Sequence, residues 1–193
     1  MRTLLLTKSL LYRMDYDFSF MNKITTLFMI FRSFITLLVF ISGSFNFALL
    51  IYALTWILDS LDDNVIEWSN GIKLKFNDGP RINAYNIVDK IADFIVRVIF
   101  VFWSLQYLPV YSSLLLGLLA YRLIGIFVFH FTKRDSWLVL FPDMVHYLFG
   151  ILLLQKILLI SSTTTTMIVL SLILALISEL ITHVIKPEFM EKY

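Results

Sequence analysis

The sequence predicts an all-α membrane protein: a bundle of five transmembrane helices, with four as the alternative, and a small β-hairpin outside the bilayer. Three observations point there. Of 193 residues, 59% are hydrophobic, with 18 Phe, 9 Tyr and a mean hydropathy of +0.83, against roughly 45–50% apolar content in soluble domains. Several apolar stretches approach the roughly 20 residues that a helix needs to cross a hydrocarbon core about 30 Å thick. The charged residues gather between these stretches or at their margins.

The first span runs from about Ser33 to Leu58 and ends at the acidic patch Asp59, Asp62 and Asp63. The second opens amphipathically near Tyr85 with Asp89, Lys90 and Asp93, turns apolar after Arg97, and stops at Tyr107 because Pro109 cannot continue it. The third covers about Tyr111 to Phe131. The fourth starts at Ser136, a suitable N-cap, and continues to about Ile160; Pro142 either kinks it or marks a later true start. The fifth follows the Ser161–Thr166 cluster and closes at Lys186-Pro187.

Residues 59–84 form the one sizeable insert outside these spans. Within it, Val65-Ile66-Glu67-Trp68 and Ile72-Lys73-Leu74-Lys75-Phe76 flank Ser69-Asn70-Gly71. Asn-Gly suits the positive-φ positions of a hairpin turn, and the second arm alternates apolar residues with Lys as a half-buried strand does. Asn77-Asp78-Gly79-Pro80 then sets a further turn.

Residues 21–193 read as a single polytopic domain. Residues 1–20 interleave Arg2, Lys8 and Arg13 with leucines and carry no acid before Asp15. That composition fits an interfacial amphipathic helix, an organellar presequence, or a segment upstream of a start at Met21. The absence of cysteine excludes disulfides and thiolate metal sites. A formal charge of +2 from 16 basic and 14 acidic residues gives no reason to expect nucleic acid.

Ionisable residues within apolar spans are the functional candidates, because burying charge in lipid is costly. The candidates for a ligand or ion pathway are Arg122, His130, Asp143, His146, Glu179 and His183, with Asp93 and Arg97 as a secondary set. Five successive crossings place all of them in one half of the membrane, on the side of the insert and the C-terminal tail. The opposite half then holds only Arg32 and Lys156, which snorkel to its surface. Arg122 is expected to pair across helices with Asp143, Glu179 or Asp93, aided by the small residues Ser113, Gly117, Ala120 and Gly125 around it. Asp143 with His146 and Glu179 with His183 share helix faces. Basic residues divide seven to six between the two sides, so the positive-inside rule does not orient the chain.

No catalytic or phosphate-binding motif is present, and the His and carboxylate spacings match no metal signature. The expected function is therefore non-enzymatic: a multi-pass protein of a bacterial inner or organellar membrane, acting as a subunit of a membrane assembly or as a small binding module. Its partners would be the lipid bilayer and other membrane subunits or further copies of itself, with no cofactor. Two alternatives are a small proton or cation transporter using the intramembrane carboxylates and histidines, and an intramembrane enzyme acting on lipid with a divalent metal.

Overall fold

The computed structural model describes residues 23–70, 80–132 and 136–181, and among these residues there are helices and no strand. Helix α1 spans Lys23–Leu37 and tightens into a 3₁₀ turn over Leu38–Ile41. It is followed by α2 (Phe45–Asn70), α3 (Pro80–Tyr107) and α4 (Pro109–Thr132). A five-residue α5 (Ser136–Leu140) precedes α6 (Met144–Leu158) and α7 (Thr164–Leu180). The segments Lys23–Ile41, Phe45–Asp62 and Pro109–Thr132 are long and apolar enough to cross a membrane, and shorter apolar helices cover Met144–Leu158 and Thr164–Leu180.

The expected first span is two helices. The apolar run from Ile24 to Leu58 is nearly twice the roughly 20 residues of one crossing, and it breaks at Ser42-Gly43-Ser44, residues that favour turns over helix interiors. Ser42 takes an extended backbone, and its Oγ accepts from the Ser44 N–H at 3.1 Å. Gly43 is needed here because a Cβ would collide with the Tyr107 ring. The two helices pack antiparallel: Thr25 meets Ser69, Arg32 meets Asp62 and Asp59, and Thr36 meets Thr55. On α1 the buried positions are Thr25, Met29, Arg32, Thr36 and Val39, alternating steps of four and three as a helix–helix seam requires.

The expected hairpin does not form. Val65 to Asn70 continue α2 as helix, while the second arm, Ile72–Phe76, lies outside the described residues, as do residues 1–20. Asn-Gly is also what closes a helix at its C-terminus, and Pro80 opens α3 from the first turn, where proline costs no hydrogen bond. Pro109 opens α4 in the same way. At Pro142 the later start prevails. The expected fourth span divides into α5, a break at Phe141-Pro142-Asp143, and α6, which Asp143 caps by accepting from the His146 N–H at 3.3 Å.

Helices α1 to α4, α6 and α7 run up and down. The short turns at Ser42–Ser44, Leu108 and Leu159–Thr163 share one end of the bundle, the tight-turn end. The C-terminal ends of α2 and α4 and the starts of α3 and α5 lie at the other, the linker end. Between α3 and α4, Ile91 and Phe94 face Ile126 and Leu123. On the tight-turn half, the core is aromatic. Phe100 and Phe149 stack at 4.6 Å, Trp103 meets Phe149 edge-on at 5.8 Å, and Phe45 meets Trp103 edge-on at 5.8 Å. The outer surface is apolar: Leu27, Ile30, Phe34, Ile57, Phe102, Phe127, Ile173 and Ile177 are all exposed. Contiguous exposed apolar surface on this scale marks contact with lipid or with another protein.

Candidate charged cavity

The interior of the linker half is ionic. Its centre is Arg32, which is 0% exposed and sits where α1 crosses α2 and α3. Its Nη1 bonds Asp59 at 2.7 Å and Asp62 at 2.9 Å and lies 3.7 Å from Asp89, while its Nη2 bonds Asp93 at 2.7 Å. Sequence reasoning placed Arg32 at the opposite membrane surface, where it would snorkel. The helical break reverses that, because the return of α2 brings the acidic patch alongside α1. The missed signal was the length of the apolar run with one arginine inside it.

From this cage the network continues along α3. Asp93 is 3.4 Å from Arg97 Nη1, one turn on, and Arg97 Nε donates to Asp143 at 2.7 Å, tying α3 to the α6 cap. Lys90 donates to Asp89 at 2.9 Å. Across the bundle Arg122 pairs with Glu179 of α7 at 2.8 Å and donates to the Phe141 carbonyl freed by the break before α6. Of the small residues flanking Arg122, Gly125 makes the close approach, against the Phe141 side chain. Gly117 faces open space, and Ser113 and Ala120 are exposed.

A cavity of about 140 Å³ opens among these groups. Asp59, Asp93, Asp143 and Glu179 supply its acids, and Lys90, Arg97 and Arg122 its cations. Trp56, Tyr147 and His146 form aromatic wall, and Ser178 adds a hydroxyl. His146 packs against Tyr52, ring to ring at 4.8 Å, and the Tyr52 hydroxyl donates to the His146 carbonyl at 3.2 Å. His146 is 7% exposed, and its buried Nδ1 has no hydrogen-bond partner among the described residues, which is costly for a buried nitrogen. Immediately toward the tight-turn end, Phe100 and Phe149 close the bundle.

The structure therefore gathers Asp93, Arg97, Arg122, Asp143, His146 and Glu179 around one cavity. His130 stands apart, on an apolar groove between α3 and α4 with Ile87 and Phe127. His183 lies outside the described residues. Asp143 and His146 meet through cap and backbone, as the N-cap bond above shows. Asp59, Asp89 and Asp93 bring carboxylate oxygens within 4.8 Å of one another, the ligand type that hard cations prefer. The Arg32 guanidinium, however, already sits among all three, and a divalent ion would have to displace it. Comparison with protein families, with curated proteins and with solved structures finds no match.

Proposed function

We propose that the chain is a multi-pass membrane protein that binds a small charged ligand in a polar cavity opening toward the linker end of the bundle. Six helices would cross: α1 to α4, α6 and α7. The observation that carries this reading is the inside-out distribution of polarity. Exposed side chains are apolar around the bundle, while acids, arginines and the His146 ring line an interior space. Ion pairing alone does not call for a cavity, since desolvated pairs hold best when packed without voids.

The aromatic layer of Phe100, Trp103 and Phe149 favours a binding module over a pore, because it leaves no polar path through the tight-turn half. Transport of protons or cations is the second reading. It draws on the same His146 and carboxylates, and it requires that layer to move. The metal-dependent lipid enzyme has the least support, given the guanidinium within the acid cluster.

Cysteine accessibility tests the reading, and the chain has no native cysteine to interfere. Ser178→Cys, on the cavity wall, should react with a small water-soluble thiosulfonate in vesicles. Ser171→Cys, buried two turns toward the tight-turn end of the same helix, should stay inert. Two inert cysteines in folded protein would mean a dry interior and no binding site.

A further inference from the structure

We infer that the cavity takes the head of a zwitterionic phospholipid, a phosphate and a primary ammonium joined through two carbons, drawn in sideways from the bilayer past Trp56 and Ser178; the inference rests on the binding reading above. The first observation is a set of unused donors. Arg97 bonds Asp143 and Asp93 through Nε and Nη1, and Arg122 bonds Glu179 and the Phe141 carbonyl through Nη1 alone. The Nη2 group of each has no partner among the described residues. Both residues are more than nine-tenths buried, yet neither Nη2 is among the nitrogens sealed within the packing. The open space that both side chains border is the cavity. Two guanidinium donors on one space suit a phosphate, whose several oxygens accept from more than one of them.

The second observation is that both signs of charge border this space. Asp59 lies three residues after Trp56, on one face of α2, and it bonds Arg32 through Oδ1 with 32% of its side chain exposed. A purely anionic ligand meets such carboxylates unfavourably. An ammonium tethered to the phosphate is instead drawn to carboxylate and indole alike. The third observation is where the cavity lies. Trp56 lines it and is also 55% exposed on the apolar exterior, and Ser178 lines it beside exposed Ile177. Helix α6 packs against both α2 and α7 and contributes Tyr147 to the wall. Asp143 and His146 belong to the start of α6, and Ser178 and Glu179 to the last turn of α7. In crossing helices those ends reach the level of lipid heads. Toward the tight-turn end, Leu50, Leu54, Ile173 and Ile177 offer acyl chains an exposed apolar surface.

The test uses the full chain, delipidated in mild detergent. Phosphatidylethanolamine, phosphatidylglycerol or diacylglycerol is added at equal mole fraction in the micelles, or O-phosphoethanolamine in the buffer. Phosphatidylethanolamine should raise the unfolding temperature saturably and bind about tenfold or more tightly than phosphatidylglycerol, with no shift from diacylglycerol. It should also slow thiosulfonate labelling of Ser178→Cys about tenfold, which binding on the outer surface does not do. Arg122→Lys keeps a cation for Glu179 and removes the second nitrogen, so it should weaken phosphatidylethanolamine about tenfold.

Equal affinity for phosphatidylglycerol would overturn the zwitterion, and O-phosphoethanolamine binding as tightly as the lipid would make the ligand water-soluble. A shift without protection of Ser178→Cys would put the lipid on the outer surface, and unchanged affinity in folded Arg122→Lys would take the phosphate away from that guanidinium. Each of these overturns the inference and leaves the binding reading standing, as does no shift with any probe while Ser178→Cys still reacts. An inert Ser178→Cys in delipidated protein would remove both. Should Arg122→Lys fail to fold, protection of Ser178→Cys decides.

Discussion

Arg32 shows how one residue changes the meaning of its neighbours. A lone guanidinium in an apolar run costs several kcal/mol or more to bury, and four carboxylates from α2 and α3 surround it. Asp62, Asp89 and Asp93 are largely held apart from water by the same packing, with Asp59 half-buried at the rim, so each side of the cage depends on the other. Removing the cation leaves four clustered acids, of which Asp89 keeps Lys90 and Asp93 keeps Arg97. Arg32→Leu should therefore destabilise the fold by about 3–5 kcal/mol, the range for breaking a buried pair from one side. Arg32→Lys should recover only part, because a single ammonium cannot bond Asp59 and Asp93 through separate nitrogens as the planar fork does. Unfolding of the purified variants in denaturant checks both. A loss under about 1 kcal/mol for Arg32→Leu would show that the acids accommodate without it.

At the scale of elements, the second half of the chain was more legible than the first. Pro80 and Pro109 each open a helix, since proline fits the first turn and nothing deeper, and Pro142 stands just ahead of the Asp143 cap of α6. The Ser/Thr cluster before α7 supplies its cap, with Thr163 Oγ1 accepting from the Thr166 N–H at 3.2 Å. The α1–α2 turn was harder to read because Ser-Gly-Ser stands amid strongly apolar flanks, and only pairing with a distant segment decides whether such a sequence bends. Asn70-Gly71 misled for a related reason: a hairpin turn and a helix end ask for the same residues. Of the site, Asp93, Arg97, Arg122, Asp143, His146 and Glu179 were legible from the cost of charge in an apolar span. Arg32 and Asp59 were not, because one continuous helix over residues 33–58 puts them at its opposite ends. A cross-link separates the two topologies. Thr36 and Thr55 Oγ1 atoms are 3.2 Å apart, whereas in one continuous helix the 19-residue separation would span about 28 Å. Thr36→Cys with Thr55→Cys should form a disulfide within the monomer under mild oxidation, read as a shift in electrophoretic mobility that reductant reverses. Failure of that pair to cross-link in folded protein would return the first span to a single helix.

For the whole molecule, the extra turn alters which basic residues share a side, and with it the orientation that the charges favour. Lys23 and Arg81 belong to helix starts at the linker end, and in the sequence Lys73 and Lys75 fall between α2 and α3, and Lys133 and Arg134 between α4 and α5. The tight-turn end has Lys156 near its surface, exposed, and its three turns hold no basic residue. If six helices cross, these positions divide six to one, and the positive-inside rule would then direct the linker end to the cytoplasm or matrix. The cavity would open to that compartment, so its ligand would arrive from inside. Single cysteines read this directly. In intact cells or organelles, an impermeant maleimide should label Ser44→Cys and Thr163→Cys at the tight turns and leave Lys133→Cys unlabelled until the membrane is permeabilised. The reverse pattern would invert the protein and expose the cavity to the outer face. Labelling at neither Ser44→Cys nor Lys133→Cys before or after permeabilisation would place both positions within the bilayer and remove the six-helix topology. The Ser44 site is the sharpest of the three, since a single span from Ser33 to Leu58 buries it near the middle of the hydrocarbon and a helical hairpin brings it to water.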